Sequence, residues 1–175
     1  MSVLGPLGDV GQCQIYFGAA ITSVKEGATF RFSQGYSPVK DAENGNAEVD
    51  GVLTGVELVE FECPLTRITY ANLSRLIPGS SYSGATTSGG IIARTLGIVG
   101  TTMYANATEL IVKRLVAGVV DTDKSKWLHI PKAYPIPQFD VPYTIDGQRG
   151  FMVLFKGFPD PTTGVVWHIG EATGM

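Results

Sequence analysis

Charge is scarce in this chain. Asp, Glu, Lys and Arg make up only 17% of its 175 residues, below the ~25% usual for soluble domains. Clusters of basic residues are absent and the net charge is −3. That argues against tight binding to a phosphate backbone, which needs grouped Lys and Arg. Cysteine is nearly absent as well. Cys13 and Cys63 both fall in strand-like runs and read as buried, reduced thiols; nothing in the sequence demands a disulfide. His129 and His168 stand isolated, so no zinc-ligand spacing exists. No apolar run approaches the ~18 residues of a membrane span. The start MSVLGPLGDVGQ lacks the basic and apolar regions of a signal peptide. Synthesis and folding in the cytosol are therefore expected, with no membrane partner.

Glycine, by contrast, is abundant at 22 residues, and hydrophobic residues reach 44%. A single domain of this length buries roughly 70% of the surface its unfolded chain exposes. An apolar, glycine-rich, weakly charged chain points to β-structure whose outer faces are partly covered, most simply by further copies of itself.

The pattern along the chain supports β-structure. Residues 1–11 read as an N-terminal arm and 12–18 (QCQIYFG) as a first strand. In 28–35 (ATFRFSQG), Phe30 and Phe32 alternate with Thr29, Arg31 and Ser33. Residues 36–55 contain Asn44-Gly45, a hairpin-turn signal between polar flanks, and predict a hairpin that projects from the body. In 56–65 (VELVEFECPL), Val59, Phe61, Cys63 and Leu65 share one face, and Leu58, Glu60 and Glu62 the other. Pro64 fits only near a strand end. Thr66 is placed to cap a helix over RITYANLSRLI, whose Ile68, Leu73, Leu76 and Ile77 form an apolar stripe meant to cover that strand. Residues 79–90 (GSSYSGATTSGG) predict a flexible Gly/Ser loop. Strands are expected over 91–99, 109–118, 150–158 and 165–172, and the proline-dense passage 126–146 as an edge strand or extended stretch. The whole reads as one all-β domain, 1–175, with one flanking α-helix.

Catalytic chemistry is thin. The Gly-rich loop at 84–90 lacks the Lys-Ser/Thr of a phosphate-binding loop. His129 and His168 each sit beside a Trp and read as half-exposed strand residues rather than bases for a nucleophile. Glu57, Glu60 and Glu62 read as a solvated acidic strand face rather than paired catalytic carboxylates. No enzyme activity and no cofactor or metal is expected.

Three passages, in order, resemble the tail tube proteins of tailed bacteriophages: GQCQIYFGAAITSVKEGATFRFSQGYSPVK, EVDGVLTGVELVEFECPLTRITYANLSRLIPG, and KWLHIPKAYPIP with GQRGFMVLFKGFPDPTTGVVWHIGEA. The resemblance spans about residues 11–172 and rests on order and spacing rather than one sharp motif. It implies a β-sandwich or small barrel of the tail-tube type, a fold also used by the type VI secretion tube. Homohexameric rings would stack into a hollow tube in the virion tail, through which DNA passes without specific binding. Implied partners are a tape measure protein, a tail terminator, baseplate or tail-tip proteins, and a sheath if the tail contracts. On this reading Glu57, Glu60 and Glu62 are lumen-facing candidates that repel phosphate. Asp41, Glu43, Asn44, Gly45, Asn46, Glu48 and Asp50 are ring-stacking candidates. The alternative is a carbohydrate-binding β-sandwich of a phage receptor-binding device using Tyr36, Tyr82, Tyr134 or Trp127. A small β-barrel hydrolase is a more distant reading.

Overall fold

The structure, a computed structural model, describes residues 12–21, 28–43, 47–55, 58–65, 69–84, 90–94, 100–138 and 151–171, without the side chains at 41, 47, 137 and 138. These residues are mostly β-strand with one α-helix, as the sequence pattern predicts. The strands are β1 (Cys13–Phe17), β2 (Ala20–Ile21), β3 (Thr29–Ser33), β4 (Tyr36–Asp41), β5 (Ala47–Leu53), β6 (Leu58–Leu65), β7 (Ser80–Ser83), β8 (Ile91–Arg94), β9 (Thr108–Val116), β10 (Val119–Val120), β11 (Leu128–Gln138), β12 (Phe151–Phe158) and β13 (His168–Ile169). The helix α1 spans Tyr70–Leu76. Nine strands form one sheet in the order β2-β1-β9-β11-β12-β6-β3, with β10 added on β9 and β13 on β11; β4-β5 and β7-β8 are separate pairs. All pairings are antiparallel.

The core forms because the alternating residues of each strand share one face. On β6, Val59, Phe61, Cys63 and Leu65 are all buried, and they meet Ile15 and Phe17 of β1, Leu110 of β9, Ile130 of β11, and Val153 and Phe155 of β12. No polar or charged side chain is buried among the described residues. The sheet is strongly curled. Phe17 and Phe155 lie three strands apart, about 14 Å in a flat sheet at ~4.8 Å per strand, yet their ring centroids are 5.3 Å apart. The sheet therefore bends over its own inner face. Trp167 closes one margin, its ring 5.2 Å from Phe30 and 5.6 Å from Phe32 on the terminal strand β3.

Both cysteines are free. Burial pushes the Cys63 thiol well above its ordinary range, with Cys13 and Glu62 adding to the effect, and burial raises Cys13 too. Both are held as protonated, apolar groups.

Besides the last strand, expected over 165–172 and reduced to β13 at His168–Ile169, four sequence expectations change. The helix is capped by Thr69, not Thr66: Thr69 is extended (φ −76°, ψ 153°) and its hydroxyl accepts the Asn72 N–H at 3.3 Å. Ile68 thus precedes the helix, and with Thr66 lies outside the described residues. The main neighbours of α1 are β7, β8 and β11 rather than β6, and Leu76 delivers its side chain to the core. The stretch 79–90 is not all loop, because Ser80–Ser83 form β7 against β8. The Ser80 hydroxyl ties its start to the helix end, its one O–H shared between the carbonyl oxygens of Ser74 (2.7 Å) and Ile77 (2.8 Å).

The fourth change concerns β11, which is interior for half its length. It lies between β9 and β12, with a bulge between Ile130 and Ala133 where Pro131 sits. Pairing with β9 stops at Ala133↔Thr108, whereas pairing with β12 continues to Gln138↔Met152. Pro135 and Pro137 fall in this second half, where only β12 flanks the strand among the described residues. Their missing N–H groups share one side, so the ladder to β12 survives.

Candidate functional site

Two surfaces carry the residues singled out by the sequence. The first is the outer face of β6. Glu60 stands between Lys156 of β12 and Arg31 of β3, and Glu62 between Leu154 and Thr29. Arg31 reaches diagonally to Glu62, with Nη2 3.2 Å from Oε2, and Lys156 Nζ lies 3.9 Å from Glu60 Oε1. Both glutamates do point away from the core. Among the described residues, however, their face is charge-balanced rather than acidic: two carboxylates face two cations. The reason is cross-strand placement, since charges 31 and 96 residues away in sequence become neighbours in the sheet. Glu57 lies outside the described residues. We expect the Arg31–Glu62 pair to contribute no more than about 1 kcal/mol, because it is solvated. A double-mutant cycle on Arg31→Ala and Glu62→Ala, read by thermal unfolding, checks this; a coupling several times larger would mean the face is desolvated by a partner.

The second surface is the β4–β5 hairpin. It continues the β3–β6 pair outward, but the ladder breaks where Gly35 and Gly55 cross. Gly35 O accepts the N–H groups of Thr54 (3.1 Å) and Gly55 (3.0 Å). A Cβ on Gly55 would lie 2.3 Å from Gly35 N and 2.4 Å from its Cα. The two backbones touch there, which requires glycine at 55 and leaves little room for a Cβ at 35, 3.0 Å from Gly55 Cα. Beyond this neck the hairpin is exposed. Tyr36 (59% exposed) and Leu53 (68%) are direct cross-strand partners on one face, and Val39, Val49 and Val52 are exposed too. The Tyr36 ring lies over Gly51, where a Cβ would sit 3.3 Å from Cδ2. An isolated two-stranded hairpin is marginal in water, so this one relies on its neck and on whatever covers it.

The ring-stacking candidates map onto this hairpin. Glu48 faces Lys40 across the strands, and Asp50 faces Val39, with Asp50 Oδ1 accepting the Gly51 N–H at 2.7 Å. Glu43 lies exposed in the turn after β4. Asp41 pairs with Ala47 through the backbone. The Asp41 side chain and Asn44, Gly45 and Asn46 lie outside the described residues.

Sequence reading missed a third cluster. On the outer face of β11 and β13, the rings of His129 and His168 stack with centroids 4.7 Å apart and planes 9° apart. Glu109 Oε1 lies 3.2 Å from His129 Nδ1. Trp127 continues the stack 6.4 Å from His129, and Lys113 Nζ sits 4.3 Å from the Trp127 centroid and 5.2 Å from that of Tyr16. His168 Nδ1 is buried without a hydrogen-bond partner. Burial, and then the His129 charge, hold the His168 imidazole below the ordinary histidine value, while Glu109 opposes this. No local signal in the sequence marks this pair, because 39 residues separate its members. Among the described residues no group of three or more His, Cys, Asp or Glu is placed to hold a metal ion.

The aromatic residues of the carbohydrate-binding alternative lie on separate elements: Tyr36 on β4, Tyr82 on β7, Tyr134 on β11 and Trp127 just before β11. Tyr82 lies against Gly90, and one face of Trp127 is taken by Lys113. No family model matches the sequence, and no curated protein matches it.

Proposed function

We propose that this chain is a structural virion protein of the tail-tube type. Its curled sheet is one unit of a β-sandwich or barrel, closed by neighbouring copies into hexameric rings that stack into a DNA-conducting tube. One observation carries this reading: the β4–β5 hairpin leaves the body through a glycine neck and holds Tyr36, Val39, Val49, Val52 and Leu53 in solvent. A monomer leaves both faces of that hairpin wet, whereas a head-to-tail assembly covers it on every copy. Terminal strands β3 and β2 offer the lateral edges such a ring needs. The order of passages that resembles tail tube proteins agrees with this placement of the hairpin. Tape measure, terminator and baseplate or tip proteins follow as partners on the same reading, and the virion tail as the location.

Negative-stain imaging and mass photometry of the purified chain test the proposal. Rings or tubes are expected, and their loss on deletion of residues 41–46 with the fold retained. A compact monomer at every concentration would overturn it.

The charge-balanced face gives a second test. Glu60→Lys with Glu62→Lys adds two charges at each site and moves the net charge from −3 to +1. It also leaves four cations on one face, Arg31 and Lys156 included. If that face lines the lumen, particles carrying both changes should assemble but release DNA slowly, with recovery as salt rises. Normal release at low salt would place the glutamates elsewhere.

A further inference from the structure

We propose that the stacked His129–His168 pair is a proton-sensitive clasp that fastens the C-terminal strand β13 to the sheet and lets it go in acid. The inference stands on this chain's own geometry and does not depend on the tube reading.

The attachment of β13 is slight. It pairs with β11 at only two positions, Leu128↔Ile169 and His129↔His168. One further backbone bond follows, from Gly170 N–H to the Trp127 carbonyl at 2.9 Å, and Lys124 meets Glu171 at 2.6 Å on the surface. Just upstream, Trp167 covers Phe30 and Phe32 of β3. Val166, Trp167 and Ile169 also pack against the core, and the imidazole stack is the one contact among these that can gain a charge.

That stack has an asymmetry which makes it responsive. His129 has a carboxylate within reach, Glu109, as counter-ion for an imidazolium. His168 makes no such contact: its Nδ1 is buried without a hydrogen-bond partner, and Glu109 acts on it only from the His129 side of the stack. In the neutral ring Nδ1 is a bare lone pair, tolerable in an apolar setting. Protonation turns it into an N–H with nothing to bond, and sets a cation face to face with a second imidazole 4.7 Å away. The other charges around the stack do little to relieve this. Lys113 approaches from β9 through Trp127 with the same sign, and Glu171 is already engaged by Lys124. Nor does the pair suit a metal. Parallel imidazole planes do not aim their in-plane lone pairs at one point, and the site lacks a third ligand among the described residues.

The sign follows from linkage. The His168 ring titrates lower when clasped than when free, chiefly because of burial. The released segment thus binds more protons over that interval. The clasp is at full strength above the ordinary histidine value of 6.5 and weakens as pH falls below it. Release withdraws Trp167 from β3 and uncovers Phe30 and Phe32, at one end of the sheet.

Hydrogen exchange on the full chain reads this directly. Between about pH 7.5 and about pH 5, after correction for intrinsic exchange, the Gly170 amide should lose protection by roughly tenfold or more, while the β1–β9 amides keep theirs. The loss should track the His168 ring titration seen by NMR in the same unmodified protein, and His168→Gln should abolish its pH dependence. Gly170 protection that persists after His168 has titrated would overturn the clasp. So would a loss shared equally by β1 and β9, which reports global acid unfolding instead.

Discussion

Phe155→Ala should lower the thermal midpoint by roughly 6–20 °C, from about 3–5 kcal/mol of lost stability at ~2–4 °C per kcal/mol for a chain of this size. Phe155 is fully buried on β12 and touches both Phe17, at 5.3 Å, and Phe61, at 6.4 Å between ring centroids. Those rings come from strands on opposite sides of β12 in the sheet order. Removing the middle ring therefore opens a void at the point where the curled sheet meets itself, and no neighbour can fill it without uncurling the sheet. Domains of this kind have about 5–15 kcal/mol in total, so the variant sits near the edge of folding. Met152→Ala, on the outward face of the same strand, serves as control and should move the midpoint by a few degrees at most. Calorimetry giving equal losses for the two variants would mean that the curl is not held by this contact.

Gly55→Ala should dislodge the β4–β5 hairpin while the nine-stranded sheet stays folded. The new methyl would meet backbone, not a side chain that can rotate aside: Gly35 N and Cα lie at 2.3 and 2.4 Å from its position. The neck must open. The two hydrogen bonds accepted by Gly35 O then go as well, for a local loss of about 3–5 kcal/mol. Cleavage within residues 36–53 by a broad-specificity protease should rise by one to several orders of magnitude, as about 1.4 kcal/mol is tenfold in the open population. The midpoint of the body should move far less than for Phe155→Ala. Gly51→Ala is the matched control. Its methyl meets the Tyr36 ring at 3.3 Å, and a ring can yield. Wild-type resistance in Gly55→Ala would show that the neck is not the anchor. If the tube reading holds, the variant should also fail to assemble.

What the sequence made legible was what period and punctuation encode. The alternation of Val59, Phe61, Cys63 and Leu65 against Glu60 and Glu62 is a local pattern, and it placed β6 and its two faces correctly. The hairpin was visible from its turn signal and polar flanks. Its neck was not, because Gly35 and Gly55 read as ordinary breakers until the chain brings them together. The charge balance of the β6 face was hidden for a similar reason: Arg31 and Lys156 are supplied by other strands. The sequence points to Thr66 as the cap; the extended backbone of Thr69 and the bond its hydroxyl accepts from the Asn72 N–H place the cap three residues later, which no local pattern shows. Ser80–Ser83 looked like loop because they are polar; as a strand they depend on β8 and on the Ser80 hydroxyl rather than on hydrophobicity. The prolines of β11 misled for a subtler reason. The edge rule applies to one side of one half of a strand, whereas the sequence shows only a proline-rich run.

Those prolines also set a direction for growth. Beyond Ala133 the flank of β11 turned away from β12 has no paired strand among the described residues, and Pro135 and Pro137 remove alternate donors from it. A foreign strand that tried to join there would find gaps in the ladder. Among the described residues the two ends of the sheet's main path, β2 and β3, carry no proline and stay open to a further strand. A polymer built by strand addition on those two edges would advance end to end, one copy's β3 margin toward another's β2.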